Sequence, residues 1–435
     1  MNIVSAKTGI EVTGKPTSDK VATETESYLK LKGHDIICIS VMDWDWPFPT
    51  SRHNLMREFA LFNRVLFVDP PLHYLSDYRA TLHKQWHKAK LARSLAGKLL
   101  ERADNLYSFT PPPVAPFNRL PQSLLYPVLK SNGWLYRQAV RKAAHRLGMR
   151  RPLLWISLNP YFGMAVRNGL NEQMVLYHCT DEISRFPGYS PQIIEMEREL
   201  LKSSDLVVTT SPVLQQNKKK DNPNTFFVPN GANTRLFQQA LNQNNPLPAD
   251  LAAIPEPRVG FTGQVEFRFD VTLLIEVARR RPDISFVLIG QEGPPSWEVS
   301  LLHAEPNIYL LGNKPQSALP AYLAGMQATI IPYKCNELTR SIYPLKLHEY
   351  LAAGRSVVAT PLPSLEQFKE VVHLAATAEE FTAALDLAMH EQGEARLIQQ
   401  RVEVAEQHSW PRVAGRISEL LAMTLAAKNV DNSIK

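Results

Sequence analysis

Cysteine is scarce in this 435-residue chain, where Cys38, Cys179 and Cys335 stand far apart. An odd, dispersed set excludes a disulfide framework and fits a reducing cytoplasm. No Cys/His cluster has zinc spacing, so neither a metal nor another resident cofactor is expected. Long apolar runs are also missing. Nowhere do about eighteen apolar residues follow one another, and no membrane-spanning helix is expected. Residues 1–30 lack the apolar stretch of a secretory leader and are rich in Thr, Ser, Lys and Glu. Residues 1–33 therefore read as a disordered extension. These absences predict a cytoplasmic protein, soluble or peripheral at the inner face of the cell membrane.

Acids are nearly absent from one stretch. From Arg79 to Asn171, sixteen lysines and arginines face only Glu101 and Asp104. The whole chain has a net charge of just +6, so the remainder is net acidic. One basic group comprises Arg79, Lys84, Lys88, Lys90, Arg93, Lys98 and Arg102, interleaved with Trp86 and leucines. A second comprises Arg137, Arg141, Lys142, Arg146, Arg150 and Arg151. Solvated helix faces are one reading of Arg79–Arg151. A surface for anionic lipid headgroups, or for a lipid-pyrophosphate acceptor, is the other. No base-reading motif accompanies the charge, and nucleic acid is not an expected partner.

What is present points to two α/β domains. The length suits two units of about 200 residues. Short β-rich runs alternate with helical patterns. They are Asp35–Val41, Arg64–Asp69, Leu153–Ser157, Met174–His178, Leu206–Thr210 and Thr225–Pro229, then Arg258–Thr262, Ser285–Ile289, Ile308–Leu311, Ala328–Ile331, Ser356–Thr360 and Val371–Leu374. Apolar runs bounded by Gly, Pro or Asn predict parallel strands covered on both faces. The Asn/Pro-rich segment Leu241–Pro257 is the expected linker. The expected domains are 34–245 and 246–408, with a terminal helix over 409–426. Ligands are expected outside the carboxyl ends of the strands.

The segment 335–361 is the most informative. It reads as a polar loop, a helix opening at Tyr343-Pro344, Gly354 as its stop, and the strand Ser356–Thr360. Lys346 and Glu349 lie three apart and share a helix face. Such a pair beside free helix N–H groups could grip a phosphate and a ribose hydroxyl; a solvated ion pair is the alternative. Gly260-Phe-Thr-Gly263 closes a strand and precedes a helix, which suits a pyrophosphate or a plain tight turn.

The run Pro344-Leu-Lys-Leu-His-Glu-Tyr-Leu-Ala-Ala-Gly-Arg-Ser-Val-Val-Ala-Thr360 resembles the donor-site segment of GT-B glycosyltransferases, especially the family 4-like group. The likeness extends from about Asp35 to Leu421. It implies two Rossmann-like domains facing a cleft, a last helix crossing back to the first domain, and a nucleotide-diphosphate sugar as co-substrate. It further implies donor contacts at Gly263, Gln264, Arg268, Gly290, Gly312, Arg340, Ser341, Lys346 and Glu349, with Glu266 an awkward neighbour for a phosphate. Lys346 would neutralise the leaving diphosphate. Asn230-Gly231 matches a turn common near the family's hinge. The family usually carries a further glutamate where this chain has Ser341, which leaves retaining or inverting stereochemistry open.

On the acceptor side, the first strand runs into Asp43-Trp44-Asp45-Trp46, and Ser51 and Arg52 follow. Asp43-Trp-Asp45 resembles the Asp-x-Asp metal motif of the other large glycosyltransferase fold. A loop that caps the next helix through Thr50 or Ser51 is the preferred reading. Trp44 and Trp46 would stack a sugar or lipid, or pack the loop. His178, Asp181 and Glu182 end a strand near the cleft and are candidate bases. Related enzymes carry Tyr-x-x-x-Asp there, matched by Tyr177 and Asp181, which makes Asp181 the first choice.

The expected function is metal-independent transfer of a sugar, of hexosyltransferase type, to a glycan or lipid-linked acceptor in surface polysaccharide synthesis. Alternatives are a non-catalytic GT-B scaffold or basic membrane-surface protein, and a sugar-nucleotide 2-epimerase.

Overall fold

The computed structural model describes residues 25–434, apart from 83, 118–119, 187–188, 243–245 and 294–296. Among them the first sheet has eight strands: β1 (Asp35–Ser40), β2 (Arg64–Val68), β3 (Leu99–Ala103), β4 (Leu106–Phe109), β5 (Leu153–Ser157), β6 (Met174–Cys179), β7 (Leu206–Thr209) and β8 (Thr225–Phe227). Their order is β3-β4-β2-β1-β5-β6-β7-β8. Neighbours are parallel except in the β3–β4 hairpin. The central strands are apolar at almost every position because helices cover both faces; β5 is buried throughout.

The second sheet has six parallel strands: β9 (Arg258–Thr262), β10 (Ser285–Ile289), β11 (Ile308–Leu310), β12 (Ala328–Ile331), β13 (Ser356–Ala359) and β14 (Val372–Leu374). Their order, β11-β10-β9-β12-β13-β14, is that of a dinucleotide-binding doubly wound sheet, reversing between β9 and β12. Each sheet has its own apolar core.

The expected strands omit β3 and β4. Strand β3 is an edge with Leu99 and Leu100 half-exposed and Glu101 in solvent, so it lacks a buried apolar run. Its turn rests on Asn105, at φ +60°.

The chain crosses between domains earlier than Leu241–Pro257, because Phe237 and Ala240 already belong to the second core. The crossing lies at Asn230–Asn233, where it pairs with the returning chain. Ala232 N–H donates to His408 O (3.0 Å), and Trp410 N–H donates to Ala232 O (3.3 Å). A Cβ on Gly231 would stand 2.8 Å from His408 O, so only glycine permits this approach.

The last helix runs Trp410–Ile434, longer than the expected 409–426. Its Trp410, Val413, Ile417 and Leu421 pack with Leu55, Met56 and Phe59 of the first domain. Of the expected extension 1–33, residues 1–24 lie outside the described residues. Leu29 and Leu31, by contrast, are buried in that same cluster. The Ser418 hydroxyl accepts from the N–H groups of Lys30 (2.8 Å) and Leu31 (2.6 Å). Among the described residues, no helix is long and apolar enough to cross a membrane.

Candidate active site

The second sheet reverses between β9 and β12, which opens a crevice beyond their carboxyl ends. Glycines finish three neighbouring strands there. Gly263 N–H donates to Ile289 O (2.8 Å), and Gly290 N–H donates to Gly312 O (3.0 Å). A Cβ on Gly290 would fall 2.0 Å from Gly263 O, so the turns interlock by backbone contact. Gly263 leaves room for Lys346, whose Nζ would stand 3.0 Å from a Cβ at that position.

Lys346 opens the helix Lys346–Ala352, which ends ahead of Gly354 at φ +70°. Its Nζ donates to the Tyr333 hydroxyl (2.5 Å) and lies over the rings of Phe261 (4.6 Å) and Tyr333 (4.8 Å). Burial alone would raise the Tyr333 pKa, but the charges of Lys346 and Arg268 outweigh it and hold the phenol below its ordinary value. Glu349 accepts from Gln316 Nε2 (3.3 Å). Burial raises its pKa, with Lys346 and Gln316 pulling the other way. Lys346 and Glu349 thus bond Tyr333 and Gln316 respectively, rather than each other.

In the first domain, β6 delivers Thr180 and Asp181 to the cleft. Thr180 Oγ1 donates to Asp181 Oδ2 (3.0 Å). Arg52, 5% exposed, donates from Nε to Ser157 Oγ (3.0 Å) and from Nη2 to Thr180 Oγ1 (3.4 Å). Burial raises the Asp181 pKa, while Arg268, Thr180 and Arg52 act against it. The other two candidate bases are otherwise engaged. His178 is buried against Trp155 and held to about 3 by burial and Arg52, so it is neutral. Glu182 is locked to Lys218 (2.7 Å) and accepts from Ser184; despite burial, those partners hold it below its ordinary value. Tyr177 turns away from Asp181 and donates to Glu197 (2.7 Å).

A cavity of about 440 Å³ between the domains is lined by Ser51, Arg52 and Asp181 from one side and by Arg268, Tyr333 and Lys346 from the other. Asn230, at the crossing, also reaches it. Sequence reasoning missed Tyr333 and Thr180. Tyr333 lies two residues past the end of β12, so the rule of questioning residues just past a strand could have found it.

Other expected site residues lie elsewhere. Arg340 and Ser341 line a separate cavity with Glu182 and Lys218, and Arg340 points into solvent near Glu337. Gln264 is exposed beside the glycine turn. Arg268 is ion-paired with Glu266, the neighbour its sequence made awkward.

The Asp43–Trp46 loop is packing rather than an open surface. Asp43 is buried and ion-paired with Lys90 (2.8 Å), and Asp45 pairs with Arg102 (2.9 Å) and Arg93 (3.4 Å). Trp44 packs on Phe67 and His53, and Trp46 on Trp86. Thr50, not Ser51, occupies the cap of the helix Ser51–Ala60. Its N–H donates to His53 Nδ1 (3.1 Å), which fixes the Nε2–H tautomer that reaches Asp43 O (2.9 Å).

Residues 256–390 match the family model described as Glycosyl transferases group 1. TuaH of Bacillus subtilis (strain 168), named as a glycosyltransferase of teichuronic acid biosynthesis, is 27% identical over 255 residues. That match covers 54% of this chain and 64% of the relative, so the chain spans just under two thirds of that protein. Among solved structures, sucrose-phosphate synthase from Thermosynechococcus elongatus superposes with a TM-score of 0.62 at 17% identity, over 91% of this chain and 100% of that one. HepE of Anabaena, solved with UDP and glucose, gives 0.57 at 15% identity, over 89% and 99%. The catalytic domain of starch synthase IV from Arabidopsis thaliana gives 0.60 at 13%, over 91% and 100%. Likenesses at these identities establish the fold, two Rossmann-like domains facing a cleft.

Proposed function

We propose that this chain, which fits the GT-B glycosyltransferases in its family match, its relative and its fold, moves a sugar from a nucleoside-diphosphate donor to a hydroxyl of a glycan or lipid-linked acceptor. The observation that carries the reading is the shared cavity. Lys346 and Arg268 enter from the second domain, and Asp181 and Arg52 enter from the first. Cations at the switch point suit a diphosphate, and a carboxylate opposite them suits an incoming hydroxyl.

In this reading Asp181 takes the proton of the acceptor hydroxyl as its oxygen bonds to the anomeric carbon. The bond from that carbon to the terminal phosphate oxygen breaks, and its electron pair leaves with the nucleoside diphosphate. Lys346, oriented by Tyr333, offsets the added charge; Arg268 assists once diphosphate competes with Glu266 for it. Glu349 accepts from a ribose hydroxyl. A base facing the donor supports inversion at the anomeric carbon, and the roles described need no metal.

The name of the Bacillus relative supports a surface polysaccharide as the product class, and the HepE complex makes UDP the first nucleotide to try. Exposed Lys84, Lys88, Arg141 and Lys142 leave part of the basic first domain free for an anionic membrane surface. Cytoplasmic location at the inner face of the membrane would follow.

The test is thermal stabilisation by UDP, GDP, dTDP and CDP, beside a Lys346→Ala/Glu349→Ala variant. A nucleotide at about 100 times its Kd adds roughly 2.7 kcal/mol, a few degrees of Tm. Stabilisation by one nucleotide, lost in the variant, is expected. Absence of a response to all four, with or without an acceptor, would leave a non-catalytic scaffold.

A further inference from the structure

A second cavity, of about 330 Å³, opens in the first domain. It shares Val41, Leu158 and Tyr189 with the interdomain cavity, so the two lie side by side. Its position is informative. The first sheet reverses between β1 and β5, and Val41 follows β1 while Leu158 and Asn159 follow β5. This is the crevice at which open α/β sheets hold ligands. Its volume lies within the range of small-molecule sites. Leu158 holds the left-handed conformation at φ +51°, unusual for a residue with a side chain, and lines both cavities.

The walls decide the class of ligand. They are largely apolar and aromatic, with Phe117, Tyr161, Phe162, Leu125 and Ile193 prominent. Three of the polar side chains among them are committed to the protein, while Tyr74, Tyr189, Ser190 and Gln192 also line the cavity. Asn159 donates to Ser40 O (2.9 Å) and accepts from Phe162 N–H (3.3 Å). Tyr161 donates to Leu129 O (2.8 Å), and His73 Nδ1 is bonded to Pro71 O (2.7 Å). A sugar ring against the Phe117–Phe162–Ile193 wall would lose water from several hydroxyls with few partners to replace it, which is costly. An apolar chain loses nothing of that kind.

The same wall continues to the surface. Leu125 belongs to the helix Gln122–Arg146, whose outward side exposes Leu124 and Tyr126 near its start, Trp134 and Leu135 midway, and Arg141 and Lys142 near its end. Aromatic and leucine side chains beside cations are the composition of a membrane-seated face. At the inner end of the cavity, buried Arg52 lines the adjoining cleft and offers a charge for a phosphate.

Resting on the glycosyltransferase reading, we infer that the acceptor is an amphiphile whose apolar chain is joined through a phosphate to a hydroxyl-bearing head. Its apolar chain occupies the Phe117–Phe162–Ile193 cavity, and its polar end projects into the cleft toward Arg52 and Asp181. Isoprenoid and acyl chains share this chemistry.

The test is calorimetric titration of the full chain with alkyl phosphates of increasing length, below their micellar concentrations. Farnesyl phosphate, glucose 1-phosphate and maltotriose complete the set. Affinity should rise about fourfold per buried methylene and then level off when the cavity is full. Ile193→Phe, which fills the cavity, and Leu125→Glu, which charges its wall, should each remove most of that gain while keeping nucleotide stabilisation. Tighter binding of farnesyl than of dodecyl phosphate would assign an isoprenoid; the reverse would assign an acyl chain. Equal binding of maltotriose and the alkyl phosphates, or chain-length dependence unchanged in both variants, would overturn the inference. Nucleotide stabilisation without alkyl binding would sink it alone. Alkyl binding lost in both variants, without any nucleotide response, would keep the cavity's ligand and sink the transferase reading.

Discussion

Asp181 and Asp69 are both carboxyls whose pKa burial raises, yet their surroundings set them to different tasks. Asp181 faces the interdomain cavity, so Asp181→Asn should lower kcat by about 10²–10⁴-fold with little change in KM. A base must be ionised to act, and the raised pKa moves the acid limb of the wild-type pH–rate profile upward from where an ordinary aspartate would place it. That limb should vanish in the variant. An unchanged profile would remove Asp181 from the chemistry. Asp69 is buried behind Asp43 and accepts from Trp44 N–H (2.8 Å) and the Thr110 hydroxyl (2.6 Å). Burial and the Asp43 charge push its pKa up to about 7, against about 3.9 in an unfolded chain. The folded state therefore holds the extra proton between those values, and stability falls as pH rises through 7. Asp69→Asn keeps an acceptor for Trp44 and removes this loss. Relative to wild type its Tm should be higher at pH 8.5 than at pH 5.5. Residue-scale legibility followed local context. Asp181 and Lys346 stood out because one ends a strand and the other opens a motif-bearing helix. For Trp44 the sequence left stacking and packing both open, and it gave no sign of the Asp43 ion pair, because their partners, Phe67 and Lys90, are remote in sequence.

Strands buried on both faces announced themselves as apolar runs, and twelve of the fourteen were legible to within a residue or two. The β3–β4 hairpin was not. Its edge strand alternates with solvent, and its charges looked like part of a basic helix. The glycine turns were legible as candidates, but their interlocking was not, because that contact forms only when β9, β10 and β11 lie side by side. Gly290→Ala tests the contact. The added Cβ would meet Gly263 O at 2.0 Å, a backbone atom with little freedom to yield. Overpacking and strain should cost about 2–5 kcal/mol and displace Gly263 from beneath Lys346. Thermal unfolding should show the loss, and the nucleotide response should weaken as well. Gly312→Ala is a useful contrast, since no atom lies within 4 Å of its Cβ position and only the left-handed backbone opposes it. It should cost about 1–2 kcal/mol. If both variants lost the same amount, backbone conformation rather than interlocking would be the cause.

At the scale of the molecule, the two domains are joined where the outgoing and returning chains meet at Gly231–Ala232 and His408–Trp410. The returning chain ends as part of the first domain. Trp410, Val413, Ile417, Leu421 and Leu425 are all buried in its second core cluster. Lys428 adds an ion pair to Asp205 (2.7 Å), between β6 and β7. This arrangement was implied by resemblance and not by periodicity, because an amphipathic helix does not say which domain it covers. The energetic consequence is asymmetric. Burial of the four that follow Trp410 contributes about 8 kcal/mol, comparable with the whole stability of a typical domain. Removing residues 411–434 should therefore unfold the first domain. The second domain keeps its own core and all six strands and should stay folded. Differential scanning calorimetry of the truncated chain should show one transition, close to the wild-type transition of the second domain. Hydrogen exchange should then protect β9–β14 while β1–β8 exchange freely. If both domains melted together as in the full chain, the helix would contribute far less than its buried area implies. Loss of both domains would instead show that the helix beyond Trp410 supports the second domain as well.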